Sequence, residues 1–171
     1  SGLRPIRIGI GLNTGTVTLG TIGGPQRIKC GVIGDAVNLG ARVESLSKSY
    51  GVSLIVSDHT VRRLQNPGAF LLRELDRVRV VGRQAAVTLY ESFDADPAPL
   101  RARKQGAAEA WTAALRAYDA RDFAGALSHF DACAGLLHDD VTWAKRRARC
   151  EMYLKQPPPA DWSGVEELHQ K

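Results

Sequence analysis

Two side chains set four residues apart, Asn38 and Arg42, are the pair in this chain best suited to chemistry. They fall in the stretch Gly31 to Tyr50, GVIGDAVNLGARVESLSKSY, where a short apolar strand turns through Ile33-Gly34-Asp35 into a helix. A spacing of four puts both side chains on one helix face. That face lies beside the apolar stripe of Leu39, Val43, Leu46 and Tyr50, which recur at helical spacing and form the buried side. An amide and a guanidinium offered together just past a glycine turn suit an anion. The same spacing also fits a capped surface helix whose Asn and Arg are merely solvated, and spacing alone leaves both readings open. Asp35 is expected to cap the helix, its carboxylate accepting from the N–H groups of the first turn.

Other chemistries find little footing. Gly9-Ile10-Gly11 hints at a dinucleotide fingerprint, but Thr14 stands where the third glycine belongs and no helix follows. His59, His129, His138 and His169 are scattered without ligand spacing, so no metal site is built from them. No serine sits in a nucleophile elbow. Basic runs at Arg101–Lys104 and Lys145–Arg149 carry charge that helices usually turn to solvent, and no aromatic platform interleaves with them, so nucleic acid is not an expected partner. The net charge of +5 permits an anionic ligand without identifying one.

The elements that must hold the pair can be read in order. With 171 residues, 44% of them hydrophobic, the chain suits one globular domain plus a small appendage. A strand over Ile6 to Leu12 ends at Asn13-Thr14-Gly15, and a second over Val17 to Ile22 is expected to return beside it as a hairpin. Gly23-Gly24-Pro25 ends that strand. Ile28 to Ile33 leads into the organising helix, with Gly51 in place for a left-handed C-terminal cap. Val52 to Val56 reads as a strand, and Ser57 as the cap of a short helix reaching Leu64. Strands follow over Phe70 to Val81, interrupted near Asp76, and over Ala86 to Phe93. The expected fold class is α+β: a mostly antiparallel sheet with helices on one face, followed by a small all-α tail.

Composition changes at Asp94 to Pro99, DADPAP, which reads as a linker. The expected domains are 1–94, a linker over 95–105, and a helical tail over 106–171. Trp111 to Ala120 and Phe123 to Leu137 form a helical pair, Val141 to Leu154 a third helix, and Trp162 to Gln170 a last one capped by Asp161. Phe123, Ala126, Phe130 and Cys133 are spaced like the second helix of a tetratricopeptide repeat, and one repeat cannot bury its own apolar face. The tail is therefore expected to pack on the α+β domain or on another chain, which leaves a protein partner at the tail open. Three cysteines without CxxC spacing suggest neither a disulfide framework nor a zinc site. No run of about twenty apolar residues offers a membrane span. The start, SGLRPIRIGI, lacks a signal-peptide pattern, so a reducing, cytoplasmic setting is expected.

The stretch IRIGIGLNTGTVTLGTIGGPQRIKCGVIGDAVNLGARVESLSKSYGVSLIVSD resembles the second half of a class III adenylyl or guanylyl cyclase catalytic domain. The likeness covers about Arg7 to Phe93, carried by the glycine placements, the VIGDxVNxxxR core and the closing strand ending LYES. It implies a ferredoxin-like domain, a homodimer with nucleotide at the subunit interface, and conversion of ATP, in preference to GTP, to cyclic AMP and pyrophosphate. It implies that Asn38 positions the ribose and that Arg42 stabilises charge on the phosphorus. Mg2+ or Mn2+ is implied in the complete enzyme. The family's two metal-binding aspartates lie upstream of the part matched here, so this chain alone is expected to be incomplete as a catalyst. Gly31 stands where cyclases place an Asp or Thr that reads the purine edge, with Val32 beside it in the nucleotide-binding region. Val81 stands at the family's triphosphate lysine, and Arg83, or alternatively Arg79, is expected to reach the phosphates instead. Two other readings are a cyclase-like domain that binds nucleotide without turnover, and an interaction module centred on the tail.

Overall fold

The computed structural model describes residues 8–23, 29–80 and 85–168. Its elements are β1 (Ile10–Leu12), β2 (Thr18–Ile22), β3 (Lys29–Ile33), α1 (Asp35–Tyr50), β4 (Leu54–Ser57), α2 (Asp58–Val61), β5 (Leu72–Val80) and β6 (Val87–Ser92), followed by α3 (Ala98–Gly106), α4 (Ala108–Asp119), α5 (Phe123–Ala132), α6 (Ala134–Leu137), α7 (Val141–Lys155) and β7 (Glu166–Leu168). One sheet has the order β1-β4-β6-β5-β7, and β2-β3 forms a separate ribbon. The α+β expectation holds at this level.

Finer expectations are corrected. The sheet is mixed rather than mostly antiparallel: β4–β6 and β6–β5 are antiparallel, while the outer pairs β1–β4 and β5–β7 are parallel. Parallel neighbours need a long crossover, and here the β2–β3 ribbon with α1 supplies one, and β6 with the tail helices supplies the other. The expected hairpin of β1 with β2 does not form. β1 is taken by β4, and β2 pairs instead with β3, from Thr18 opposite Ile33 to Ile22 opposite Lys29. The supposed linker is helical from Ala98, with Lys104 buried. The tail is not all-α, because β7 lies where a last helix over Trp162 to Gln170 was expected. Gly164, in the left-handed region at φ 77°, turns the chain toward the open edge of β5, and that edge offers backbone partners a short terminal helix would lack.

Local chemistry explains α1. Leu39, Val43 and Tyr50 are buried and pack on Ile55, Leu75, Val78, Val87 and Leu89 of the sheet. Gly51 closes the helix in the left-handed conformation, as its position suggests. The start is corrected: Gly34 holds the cap position and Asp35 is the first helical residue, where its charge still favours the positive end of the helix dipole. Ser57 precedes α2 but makes no side-chain cap bond, since its hydroxyl is donated to Asn13.

The tail builds a second core from Trp111, Ala114, Tyr118, Phe123, Ala126, Phe130, Cys133, Leu137 and Cys150. Its rings meet edge-on, Trp111 with Phe130 at 5.3 Å and Tyr118 with Phe123 at 5.6 Å between centroids. The layer joining this core to the sheet is ionic. The interruption anticipated near Asp76 is a register shift between Glu74 and Asp76, and it turns both Leu75 and Asp76 inward. Asp76, 1% exposed, accepts from the Tyr50 hydroxyl at 2.9 Å and pairs with Arg146 and Arg149 of α7, each at 3.1 Å. A second cluster links Arg73 to Glu91 and Asp140 at 2.6 and 2.7 Å, and Lys104 to Glu91 and Asp96 at 2.5 and 2.6 Å. Arg73 Nη1 is buried without a hydrogen-bond partner, its guanidinium lying 4.7 Å from the centre of the Trp111 ring. The tail also closes the outer edge of β5. Trp111 donates to the Glu74 carbonyl, Arg146 to that of Leu75, and β7 pairs with Val78 to Val80.

Breaking a buried pair leaves an uncompensated charge, so Asp76→Ala should lower stability by about 3–5 kcal/mol in urea unfolding. A loss below about 1 kcal/mol, the scale of an exposed pair, would contradict this role. Burial pushes the Cys150 thiol up to about 11 and raises that of Cys133 as well, whereas Cys30 is exposed. At pH 8 a thiol reagent should therefore label Cys30 alone in the native protein, with all three reacting after denaturation.

Candidate functional site

Gly31, Val32, Asn38 and Arg42 lie on one continuous strand, turn and helix: β3 runs through Gly34 directly into α1. Gly31 pairs with Gly20 and Val32 with Leu19 across the ribbon. Asn38 is exposed in the first turns of α1, its backbone N–H donating to Gly34 O at 3.3 Å. Arg42, one turn further on, is half-buried, and its carbonyl accepts from Ser45 Oγ at 2.7 Å. The buried stripe holds Leu39 and Val43 against the sheet and leaves these two polar positions beside it, as their spacing predicts. Arg83 and Val81 lie outside the described residues. Arg79, expected as the alternative to Arg83, pairs with Glu167 of β7.

The strand behind α1 approaches it very closely. A Cβ added at Gly11 would lie 2.3 Å from the backbone nitrogen of Glu44 and 2.7 Å from the carbonyl oxygen of Gly40. Gly11 thus serves helix–strand packing, which accounts for the glycines at the start of the chain without a dinucleotide. Asn13 ties three elements together: its Nδ2 donates to Ala36 O at 2.9 Å, and its Oδ1 accepts from Ser57 Oγ at 2.7 Å. Thr14 and Thr60 share a hydroxyl bond at 2.9 Å, and Arg63 donates to Thr14 O at 3.2 Å.

These contacts border an open hollow of about 600 Å³ at the N-terminal end of α1, walled in part by Asn13, Thr14, Thr16, Asp35, Arg62 and Arg63. Asn38 and Arg42 are not among its walls. The anchoring role of Asn13 escaped sequence reading because Asn13-Thr14-Gly15 carries an ordinary turn signature, and only the return of Ser57 and Ala36 gives the amide its partners. A different surface does border Asn38. Val17, Leu19, Val32, Ile33 and Val37, on the ribbon and the first turn of α1, are apolar side chains each at least 40% exposed. Among the described residues, no three His, Cys, Asp or Glu side chains gather in a way that could hold a metal ion, so the residues present do not fit one.

A family model described as the adenylate and guanylate cyclase catalytic domain matches residues 1–91. The chain is 45% identical to an adenylate cyclase of Anabaena cylindrica over 92 residues, 53% of this chain and 18% of that protein. It is 29% identical to the terminal-differentiation-specific adenylate cyclase of Dictyostelium discoideum over 158 residues, 91% of this chain and 7% of that one. Among solved structures, a bacterial light-regulated adenylyl cyclase matches at a TM-score of 0.43 and 27% identity, over 53% of this chain and 24% of that chain. The adenylyl cyclase CyaB from P. aeruginosa matches at 0.41 and 28%, over 49% of this chain and 41% of that chain. The chain thus spans less than a fifth of the length of these two sequence relatives.

Proposed function

The chain belongs to the adenylate and guanylate cyclase catalytic domain family, and on that premise we propose that α1 supplies the Asn38 and Arg42 half of an active site that a second subunit completes. The reaction is conversion of ATP to cyclic AMP and pyrophosphate. The ribose 3′ oxygen attacks the α-phosphorus and gives up its proton, while the bond to the pyrophosphate oxygen breaks. Negative charge develops on the phosphoryl oxygens, and a guanidinium held beside them lowers the barrier because its donors already point where charge appears. Asn38, an exposed amide one turn before Arg42, orients the ribose on the same face. The observation that carries this reading is that the buried stripe of Leu39 and Val43 leaves Asn38 and Arg42 one turn apart on the same side of α1, with the exposed apolar residues Val32, Ile33 and Val37 around its start. Those exposed apolar residues suit burial against a second copy of the chain.

A divalent ion, Mg2+ or Mn2+, would supply activation of the hydroxyl and neutralisation of the triphosphate when bound. We place its ligands outside the described residues, none of which gather as a metal-holding set. ATP is favoured over GTP because the relatives are named as adenylate cyclases. Gly31 has no side chain with which to read a purine edge and Val81 stands at the family's triphosphate lysine, the two features favouring a nucleotide-binding domain without turnover. The inward burial of Trp111, Tyr118, Phe123 and Phe130 supports a tail that serves its own catalytic domain rather than a separate partner.

In a protein carrying this chain together with the preceding catalytic residues, cyclic nucleotide formation from ATP and GTP with magnesium or manganese tests the reading. Arg42→Ala should lower kcat by about 100- to 1,000-fold with a much smaller change in KM. Absence of product from the unmutated protein would sink the enzyme reading, and full activity of Arg42→Ala would remove Arg42 from its role.

A further inference from the structure

The helix that carries Asn38 and Arg42 is gripped at its far end by α7, which lies wholly beyond the family-matched residues 1–91. Thr142, fully buried, donates its hydroxyl to the Tyr50 carbonyl at 3.0 Å. This is one of the last carbonyls of α1, which have no partner inside their own helix. Lys145 donates to Ser49 Oγ at 2.6 Å, and its ammonium lies 5.0 Å from the centre of the Tyr50 ring. The Tyr50 hydroxyl reaches Asp76, which Arg146 and Arg149 hold from the same α7. Val141 covers the cap: a Cβ on Gly51 would come within 2.8 Å of it.

These contacts differ in kind from the packing under α1. Leu39 and Val43 bury area without direction, which tolerates a small slide or roll of the helix. Hydrogen bonds to the terminal carbonyl and to Ser49 are directional and set axial position and roll. A helix moves as a rigid body over the roughly 12 Å that separate Tyr50 from Arg42. A displacement at the last turn therefore reaches the guanidinium nearly undiminished, and misplacement by about 1 Å is costly to a transfer reaction.

We propose that Thr142 and Lys145 of the tail are positioning residues for Arg42 and Asn38, so that α7 sets the rate of the transfer step; this rests on the cyclase function proposed above. The test uses a protein carrying this chain with the preceding catalytic residues. Thr142→Val should lower kcat by about 3- to 10-fold with KM for ATP within about twofold, while Thr142→Ser keeps the parent rate. In an Arg42→Lys background, Thr142→Val should cost little more, since both changes act on one guanidinium. A merely structural role predicts the same fractional loss in both backgrounds. Lys145→Gln, at an exposed position, should lower kcat in the same sense and serves if Thr142→Val fails to fold. The proposal is overturned by full kcat in both variants, or by a loss that multiplies unchanged with Arg42→Lys. Parental kcat in Arg42→Lys itself would overturn the underlying functional reading, a separate outcome.

Discussion

A buried carboxylate joins α1, the sheet and the tail at one point. Asp76 is 1% exposed, and a charge so placed persists in a fold only with partners aimed at it. Its partners come from three directions: the Tyr50 hydroxyl from the end of α1, its neighbour's backbone N–H at Arg77, and the guanidinium groups of Arg146 and Arg149 from α7. Burial first, and Asp76 second, drive the Tyr50 hydroxyl well above its ordinary range, so that it remains a donor. The bulge in β5 is what turns Asp76 inward beside Leu75. Without that register shift, the site helix, the sheet and the tail would have no common anchor.

The second ionic cluster works in the same way at the start of α7. Asp140 caps that helix by accepting from Trp143 N at 2.8 Å, and its other oxygen takes Arg73 of β5 at 2.7 Å. The first turn of α7 is thereby fixed to the sheet by the residue that starts it. Buried ion pairs add little net stability compared with apolar packing, but they tolerate few alternative arrangements. A tail joined to the sheet by apolar surface alone could slide. One joined by Asp76, Asp140, Glu91 and their cations has one register, and α7 inherits from it a defined position against α1.

Local patterns in the sequence made α1 legible. Its apolar stripe, the glycine at its end and the shared face of Asn38 and Arg42 all follow from spacing within sixteen residues. The break near Asp76 was legible as a break, because a charge interrupts an apolar strand, but not as an anchor, because Arg146 and Arg149 lie some seventy residues away in the chain. The same distance hid the pairing of β2 with β3 in place of β1, and the return of β7 to the edge of β5. Each of these depends on which backbone edge is left open once the other strands have paired. Thr142 carries no local signal at all: a threonine near the start of a helix becomes a ligand for the Tyr50 carbonyl only through the fold. The helical character of Ala98–Gly106 was masked by its Pro-rich approach, although Lys104 buries itself against Glu91 and Asp96.

Tail, sheet and α1 unfold as one body because their shared interface is a set of buried charges. All three tryptophans, Trp111, Trp143 and Trp162, belong to the tail, so their fluorescence follows the tail and, through Trp111, its seam with β5. The most direct measurement compares that signal with native-state hydrogen exchange of the β5 and β6 amides across a denaturant series. A coincident transition, with the same midpoint and the same free energy by both probes, is the predicted result. Loss of the tryptophan signal at lower denaturant, with β5 and β6 amides still protected, would contradict it.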